Sequence, residues 1–379
     1  MSTPSRIAFV LPDLEGGGAQ SVILTLCGSI NRNAFHPFLL VPSGPMTMKN
    51  RLSPEVELIA GHSSRLRHGL PWLVRKIREL KPDVLVSVMG YLNLSLLAAK
   101  PLFPENTKII VREANVVEAT LQELPWYVRG LKPYSLYYPS ADAIISPTLA
   151  IARELQTAIP RARNIIQVIP NPVDVAYFRE QARVPKRVEG NGIRLVAAGR
   201  LRHQKGFDCL PEIVQQLPHD TRVDVFGDGP ERGRLEAEIS ARNLEGRIVL
   251  RGYCNQLSSW IAGADALILP SRWEGLPNVV LESLSAGTPA IISAESGGEE
   301  LAGAATLGAV SICSSIAEFV ATIAEVKPLT GSLNSPRASL LPIDYERGRV
   351  SQIWADLLTR VQHGKRVTGD SPMHNAPTA

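Results

Sequence analysis

DALILPSRWEGLPNVVLESLSAGTPAIIS, residues 265–293, reads as strand, loop, helix and strand. Asp265 to Pro270 is a short apolar run behind an acid, the pattern of a strand buried in a parallel sheet. Pro277 suits the first position of a helix, where its missing N–H would have no partner anyway. Val279, Val280, Leu281 and Leu284 give that helix a buried side, and Gly287 with Pro289 ends it. Two carboxylates bracket the junction: Glu274 in the loop and Glu282 about one turn into the helix. Helical side chains lean toward the N-terminus, so Glu282 can share the space that Glu274 faces. The exposed amides of a helix start attract an anion. Two acids beside such an end suit a ligand with both hydroxyls and phosphates, a nucleotide sugar. The bland alternative is a helix start that merely favours acids.

The alternation extends outward from this stretch in both directions. Strand-like runs at Ile193–Ala198, Arg222–Phe226, Arg247–Leu250, Asp265–Leu269, Pro289–Ile292 and Ala309–Ile312 are separated by helical runs such as Arg232–Arg242. The first half repeats the pattern at Arg6–Leu11, His36–Val41, Val56–Ala60, Asp83–Val88, Lys108–Val111, Asp142–Ser146 and Ile165–Ile169. This is an α/β chain with two parallel sheets, each covered by helices on both faces. Such sheets bind ligands at the carboxyl ends of their strands, and two facing one another would form a cleft. The expected organisation is a first Rossmann-like domain at 1–172, a polar linker at 173–192 and a second domain at 193–344. A last helix follows at 345–363, apolar at Val350, Ile353, Trp354, Leu357, Leu358 and Val361, and then a disordered polar tail at 364–379.

Composition narrows the class. A chain of 379 residues exceeds one ordinary core, which agrees with two domains. No apolar run approaches the roughly 18 residues that span a bilayer. The opening MSTPSRIAFVLPDLEGGG lacks a signal-peptide layout, so the expected location is cytoplasmic, with peripheral attachment to the inner face of a membrane as an option. Cys27, Cys209, Cys254 and Cys313 form no C-x-x-C and read as reduced thiols; neither they nor the histidines have metal-ligand spacing. Residues 1–170 carry 18 Lys+Arg against 12 Asp+Glu, and residues 171–345 carry 17 against 21. A basic first half could meet an anionic membrane or a phosphorylated acceptor, or be ordinary solvated surface. No basic tract interleaves with aromatics, which argues against nucleic acid.

Several local stretches carry chemistry. Gly199-Arg200-Leu201-Arg202-His203-Gln204-Lys205-Gly206 follows the first strand of the second half. There Arg200, a planar fork, and Lys205, a point charge, could bracket a diphosphate; basic loops are also common without that role. Pro12 to Gly18 joins a strand to a helix through three glycines, either a phosphate loop or a tight turn. Trp72, Leu73, Val74, Ile77 and Leu80 have helical spacing, with Arg75, Lys76, Arg78 and Lys81 opposite. That is a core helix with a wet basic face, or an interfacial helix on a membrane. Leu124 to Pro139 is aromatic and basic, suited to packing or to an acceptor groove.

E-G-L-P-N-x-x-x-E followed by S-A-G-T-P resembles the E-x7-E signature of retaining glycosyltransferases of the GT-B fold, close to glycosyltransferase family 4. The G-R-x-x-x-x-K-G at 199–206 is similar to the family's donor motif. The resemblance implies two Rossmann-like domains facing across a cleft, with the final helix crossing back to the first. It implies that Arg200 and Lys205 hold the leaving diphosphate. Glu274, with the backbone of Gly275, Leu276 and Asn278, would contact sugar and phosphate. Glu282 would bind the ribose, and Tyr253 and Cys254 the base. Gly17 and Gly18 resemble the first-domain glycine loop that approaches the donor. Many relatives carry a histidine in the first domain. The comparable strand end here reads Val111-Arg112-Glu113-Ala114-Asn115, so Arg112, Glu113 and Asn115 are the candidates for the acceptor side, with Glu113 a potential base or nucleophile.

The chain has no D-x-D, so metal-independent transfer without a cofactor is expected, with the cations in place of an ion. The expected activity is retaining transfer of a hexose-type unit from a UDP- or GDP-linked sugar to a saccharide or lipid-linked acceptor, in cell-surface polysaccharide or glycolipid synthesis. A small soluble acceptor is the alternative. A non-catalytic sugar-binding protein would not need the diphosphate clamp. A dinucleotide oxidoreductase would need a G-x-G-x-x-G that is absent.

Overall fold

The computed structural model describes residues 3–63, 65–115, 117, 121, 130, 132–187, 190–329 and 335–364. The chain divides into two units, Met1–Pro172 with Arg347–Ala379, and Val173–Glu346. Among the described residues no helix is long and apolar enough to cross a membrane.

The first unit is built on seven parallel strands: β1 (Ser5–Val10), β2 (Phe35–Ser43), β3 (Glu57–Ser63), β4 (Val84–Val88), β5 (Lys108–Arg112), β6 (Ala143–Ser146) and β7 (Ile166–Val168). Their order is β3-β2-β1-β4-β5-β6-β7. Successive side chains of a strand leave opposite faces, so β1 feeds two cores. Ile7 and Phe9 join Leu39 and Val86 on one face, while Ala8 and Val10 join Leu40 and Leu85 on the other. The helix Gly18–Ser29 covers the first face through Val22, Ile23 and Leu26. The helix Leu66–Leu80 covers the second through Leu73 and Ile77.

The last helix runs Arg347–Gln362 and packs in this first unit, with Val350, Trp354, Leu357 and Leu358 in the same core as Ile7. Ser5 Oγ donates to Gln362 Oε1 at 2.6 Å, and Ser29 Oγ lies 2.7 Å from Ser351 Oγ. The return of the chain end to the first unit is thus fixed by apolar contact and by polar seams at its edges. The expected tail lies outside the described residues from 365 onward.

The second unit has six parallel strands: β8 (Arg194–Ala198), β9 (Arg222–Phe226), β10 (Ile248–Gly252), β11 (Ala266–Leu269), β12 (Ala290–Ser293) and β13 (Val310–Cys313), in the order β10-β9-β8-β11-β12-β13. Every strand expected from the sequence is present within a few residues of its expected limits. The linker reading of 173–192 needs correction. Its described part folds onto the second unit: Val173 and Ala182 join that core, flanking the helix Val175–Gln181. Beside that apolar burial, the segment is tied through Asp265, which is almost fully buried and must be paired. Arg187 supplies two hydrogen bonds to it, at 2.9 and 3.0 Å, and the amides of Arg194 and Leu329 each donate at 2.7 Å.

Candidate functional site

Parallel strands present all their carboxyl ends at one edge, and a ligand crevice opens where the strand order reverses. In the second sheet β8 lies between β9 and β11, so the reversal falls at β8. The loops after β8 and β11 are neighbours there, and they carry Lys205 and Glu274. Lys205 Nζ donates to Glu274 Oε1 at 2.5 Å, and the side chains are 17% and 11% exposed. Ser271 Oγ donates to the same oxygen at 3.0 Å. An ammonium has three donors, of which Glu274 takes one, and a carboxylate has two oxygens. Among the described residues, hydrogen bonds reach the Glu274 side chain only through Oε1. The pair therefore keeps donor capacity on Lys205 and acceptor capacity on Oε2.

A third loop supports this contact, and sequence reasoning missed it. The Glu274 amide donates to the Glu295 carbonyl at 3.2 Å, just past the end of β12. Ser293 Oγ donates to the Ser271 carbonyl, and Ser296 Oγ to the Ser293 carbonyl at 2.5 Å. Gly297 has φ of +67°, and a Cβ there would run into the Gly275 carbonyl. Only glycine permits both that backbone and that approach. The S-G-G run at 296–298 was the available signal.

The helix after Glu274 is Asn278–Ser285, with Pro277 as its N-cap at φ −74° and ψ 110°. Pro277 thus sits one position before the expected N1, and its carbonyl accepts from the Val280 amide at 3.0 Å. Gly275 and Leu276 are buried, while Asn278 and Glu282 are half-buried on this junction. Arg200 is exposed beside Gly199 at the end of β8. Tyr253 follows β10 at the same edge and is 84% exposed, with Cys254 half-buried beside it. All donor-side residues expected in this unit thus lie at the carboxyl edge of one sheet. A cavity of about 160 Å³ is lined by Leu201, Arg202, Phe207, Asp208 and Glu231 but includes neither Lys205 nor Glu274.

In the first unit, Gly17 caps the helix Gly18–Ser29 at the end of the loop after β1. Asp13 stiffens that loop by accepting from the Glu15 amide and from Gln20 Nε2, both at 3.1 Å. The acceptor-side expectation is not met for Arg112 and Glu113. They are 1% and 0% exposed, inside the unit rather than on its surface. Asn93 Nδ2 donates to Glu113 Oε1 at 2.9 Å, Tyr138 O–H donates to the same oxygen, and Ser87 Oγ donates to Asn93 Oδ1 at 2.6 Å. Arg112 Nη2 donates to Asn171 Oδ1. Burial pushes the Glu113 carboxyl up to about 8, so it carries a proton at neutral pH and is a poor base there. Burial lowers Arg112 to about 10, which leaves it charged. Asn115 is half-buried. Of the stretch 124–139, residues 124–129 and 131 lie outside the described residues; Tyr134 and Tyr138 stack in the core at 4.4 Å.

Known proteins share this architecture. The family model described as Glycosyl transferases group 1 matches residues 178–333, and that described as Glycosyltransferase Family 4 matches residues 16–177. An uncharacterized glycosyltransferase of Methanocaldococcus jannaschii is 24% identical over 58% of this chain and 57% of its own length. The chain spans about half the length of several curated relatives it matches. A Campylobacter jejuni N-acetylgalactosamine-N,N'-diacetylbacillosaminyl-diphospho-undecaprenol 4-alpha-N-acetylgalactosaminyltransferase is 22% identical over 79% of this chain and 83% of that protein. The structure of Anabaena HepE in complex with UDP-glucose shares the fold, with a TM-score of 0.68, 15% identity, and coverage of 95% of this chain and 97% of that one.

Proposed function

The chain belongs to the group 1, family 4 glycosyltransferases, and from that premise we propose that it moves a sugar from a nucleoside-diphosphate donor to a saccharide or lipid-linked acceptor. The observation that carries this reading is the Lys205–Glu274 contact at the strand reversal of the second sheet. Lys205 and Arg200 take the diphosphate. Glu274 Oε2 and the backbone of Gly275, Leu276 and Asn278 take sugar hydroxyls and phosphate. Glu282 accepts from both hydroxyls of the ribose, and Tyr253 with Cys254 meets the base.

The bond from the anomeric carbon to the diphosphate oxygen breaks, and a bond from the acceptor oxygen to that carbon forms on the same face. The acceptor proton passes to the leaving diphosphate. Negative charge grows on the diphosphate as the bond lengthens, so cations fixed beforehand act more strongly in the transition state than in the ground state. That charge compensation comes from Arg200, Lys205 and the helix amides, and the transfer runs with retention and without a metal ion.

The named acceptor of the Campylobacter relative is linked to diphospho-undecaprenol, which supports a lipid-linked saccharide here and a role in polysaccharide or glycolipid synthesis. The helix Leu66–Leu80 supports work at an anionic membrane face. Its apolar side is packed against the sheet, and Arg65, Arg67, Arg75 and Arg78 stay exposed. Such a surface would meet lipid by charge rather than by insertion. A panel of UDP- and GDP-sugars, read by donor hydrolysis and thermal stabilisation, tests the reading. One donor class should stand out; NAD binding without UDP or GDP binding would refute it.

A further inference from the structure

We propose that Asp208 and Arg272 are positioning residues that set the separation of Lys205 and Glu274, and so the strength of the diphosphate clamp. This rests on the donor-side reading above. Arg272 Nη1 and Nη2 meet Asp208 Oδ1 and Oδ2 at 2.8 and 2.7 Å, a two-pronged contact of guanidinium and carboxylate. Arg272 Nη1 also donates to the His203 carbonyl at 2.6 Å, and the Arg272 amide donates to the Gln204 carbonyl at 2.7 Å. Gln204 Nε2 returns a bond to the Trp273 carbonyl at 3.0 Å. The loop after β8 is therefore held at 203 and 204, before Lys205, and at 208, after it. Between these points Gly206 has φ of +63°, and a Cβ there would run into the Pro270 carbonyl. On the other side, every tie originates at 272 or 273, immediately before Glu274.

A lone exposed ion pair contributes little. This one differs because the same guanidinium spans two segments of one loop, and the fork geometry allows little play. The pair holds Asp208 below the usual carboxylate range and raises Arg272, so both stay charged at neutral pH. Neither side chain bonds to Lys205 or Glu274; both act through the backbone that carries them. Displacing a charge from the reacting atoms by about 1 Å can cost as much as 100-fold in rate, so loosening this lacing should be visible in turnover.

The test uses Arg272→Gln and Asp208→Asn in the full chain. The first readout is the acylation rate of Lys205 by a water-soluble N-hydroxysuccinimide ester, followed by mass spectrometry with Lys76 and Lys186 as references. Lys205 should label several-fold faster in both variants, with the references unchanged. The second readout is donor turnover well below the melting temperature: kcat should fall about 10- to 100-fold with the donor KM little changed. In a Lys205→Met background, Arg272→Gln should cost less than in the wild type, because part of its effect runs through Lys205. An unchanged Lys205 labelling rate, an undiminished kcat or additive losses would each overturn the proposal. If the wild type turns over no sugar nucleotide, the functional reading fails, and the labelling result still decides whether the pair sets the clamp.

Discussion

Lys205 and Glu274 are 69 residues apart in the chain, yet Lys205 Nζ stands 2.5 Å from Glu274 Oε1, joining the ends of two adjacent parallel strands. One partner is suited to a phosphate and the other to a hydroxyl. The contact holds both where the sheet topology places a ligand.

Lys205→Ala and Glu274→Ala should each lower transfer about 100-fold, the usual effect of removing one preorganised charge-stabilising group. Each leaves a mostly buried partner, so stability should fall on the order of 1–3 kcal/mol without loss of the fold. Turnover measured beside circular dichroism checks both points. Full activity in either variant contradicts the assigned roles.

Asp265 should matter to stability and not to chemistry. Asp265→Ala strands Arg187, which is 15% exposed, together with the amides of Arg194 and Leu329. The cost should be about 3–5 kcal/mol in the transition of the second unit, the range for breaking a buried pair. Urea denaturation measures it, and a loss below about 1 kcal/mol would show that the cluster is not a structural hub.

Glu113 predicts a pH dependence with a definite sign. Its folded value of about 8 lies above the ordinary 4.5, so the folded chain binds the extra proton between those values. Stability from this group is fully present below about 4.5 and is lost as pH rises toward about 8. Raising a folded pKa by one pH unit corresponds to about 1.4 kcal/mol, so the loss across this window is a few kcal/mol. Glu113→Gln should flatten that slope in melting curves taken from pH 5 to 9. An equal slope in wild type and variant would place the titration elsewhere.

Binding to anionic vesicles should be electrostatic. Arg67→Glu with Arg78→Glu should weaken co-sedimentation with phosphatidylserine-containing vesicles. About 1 M salt, where the screening length is about 3 Å, should abolish it. Salt-resistant binding would instead require apolar insertion, which the buried side of the helix Leu66–Leu80 does not offer.

If Arg200, Lys205 and the helix amides supply the charge as proposed, a chelator should leave sugar transfer intact. Activity lost with chelator and restored by a divalent ion would contradict metal-independent transfer.

The strands were legible because their apolar runs are short, bounded and repeated, and nothing tertiary had to override them. The positions of Glu274 and Lys205 were legible because each lies at a strand-to-helix loop within a spaced motif. Arg112 and Glu113 misled: charged residues at a strand end read as surface, and only the fold shows Asn93, Tyr138 and Asn171 converging to pair them inside. The linker reading of 173–192 misled for the same reason, since the partner of Arg187, Asp265, lies 78 residues away. The support from Ser293 and Gly297 depends on how three loops meet, which no local pattern records.

Calorimetric titration of UDP and of GDP into the wild type and Lys205→Ala decides whether the strand reversal of the second sheet holds a nucleoside diphosphate. One of the two nucleotides should bind the wild type saturably. The substitution should weaken that binding about 10- to 100-fold, as expected for losing a hydrogen bond from a charged group. Binding of neither nucleotide, or binding equally tight without the Lys205 ammonium, would contradict the assignment.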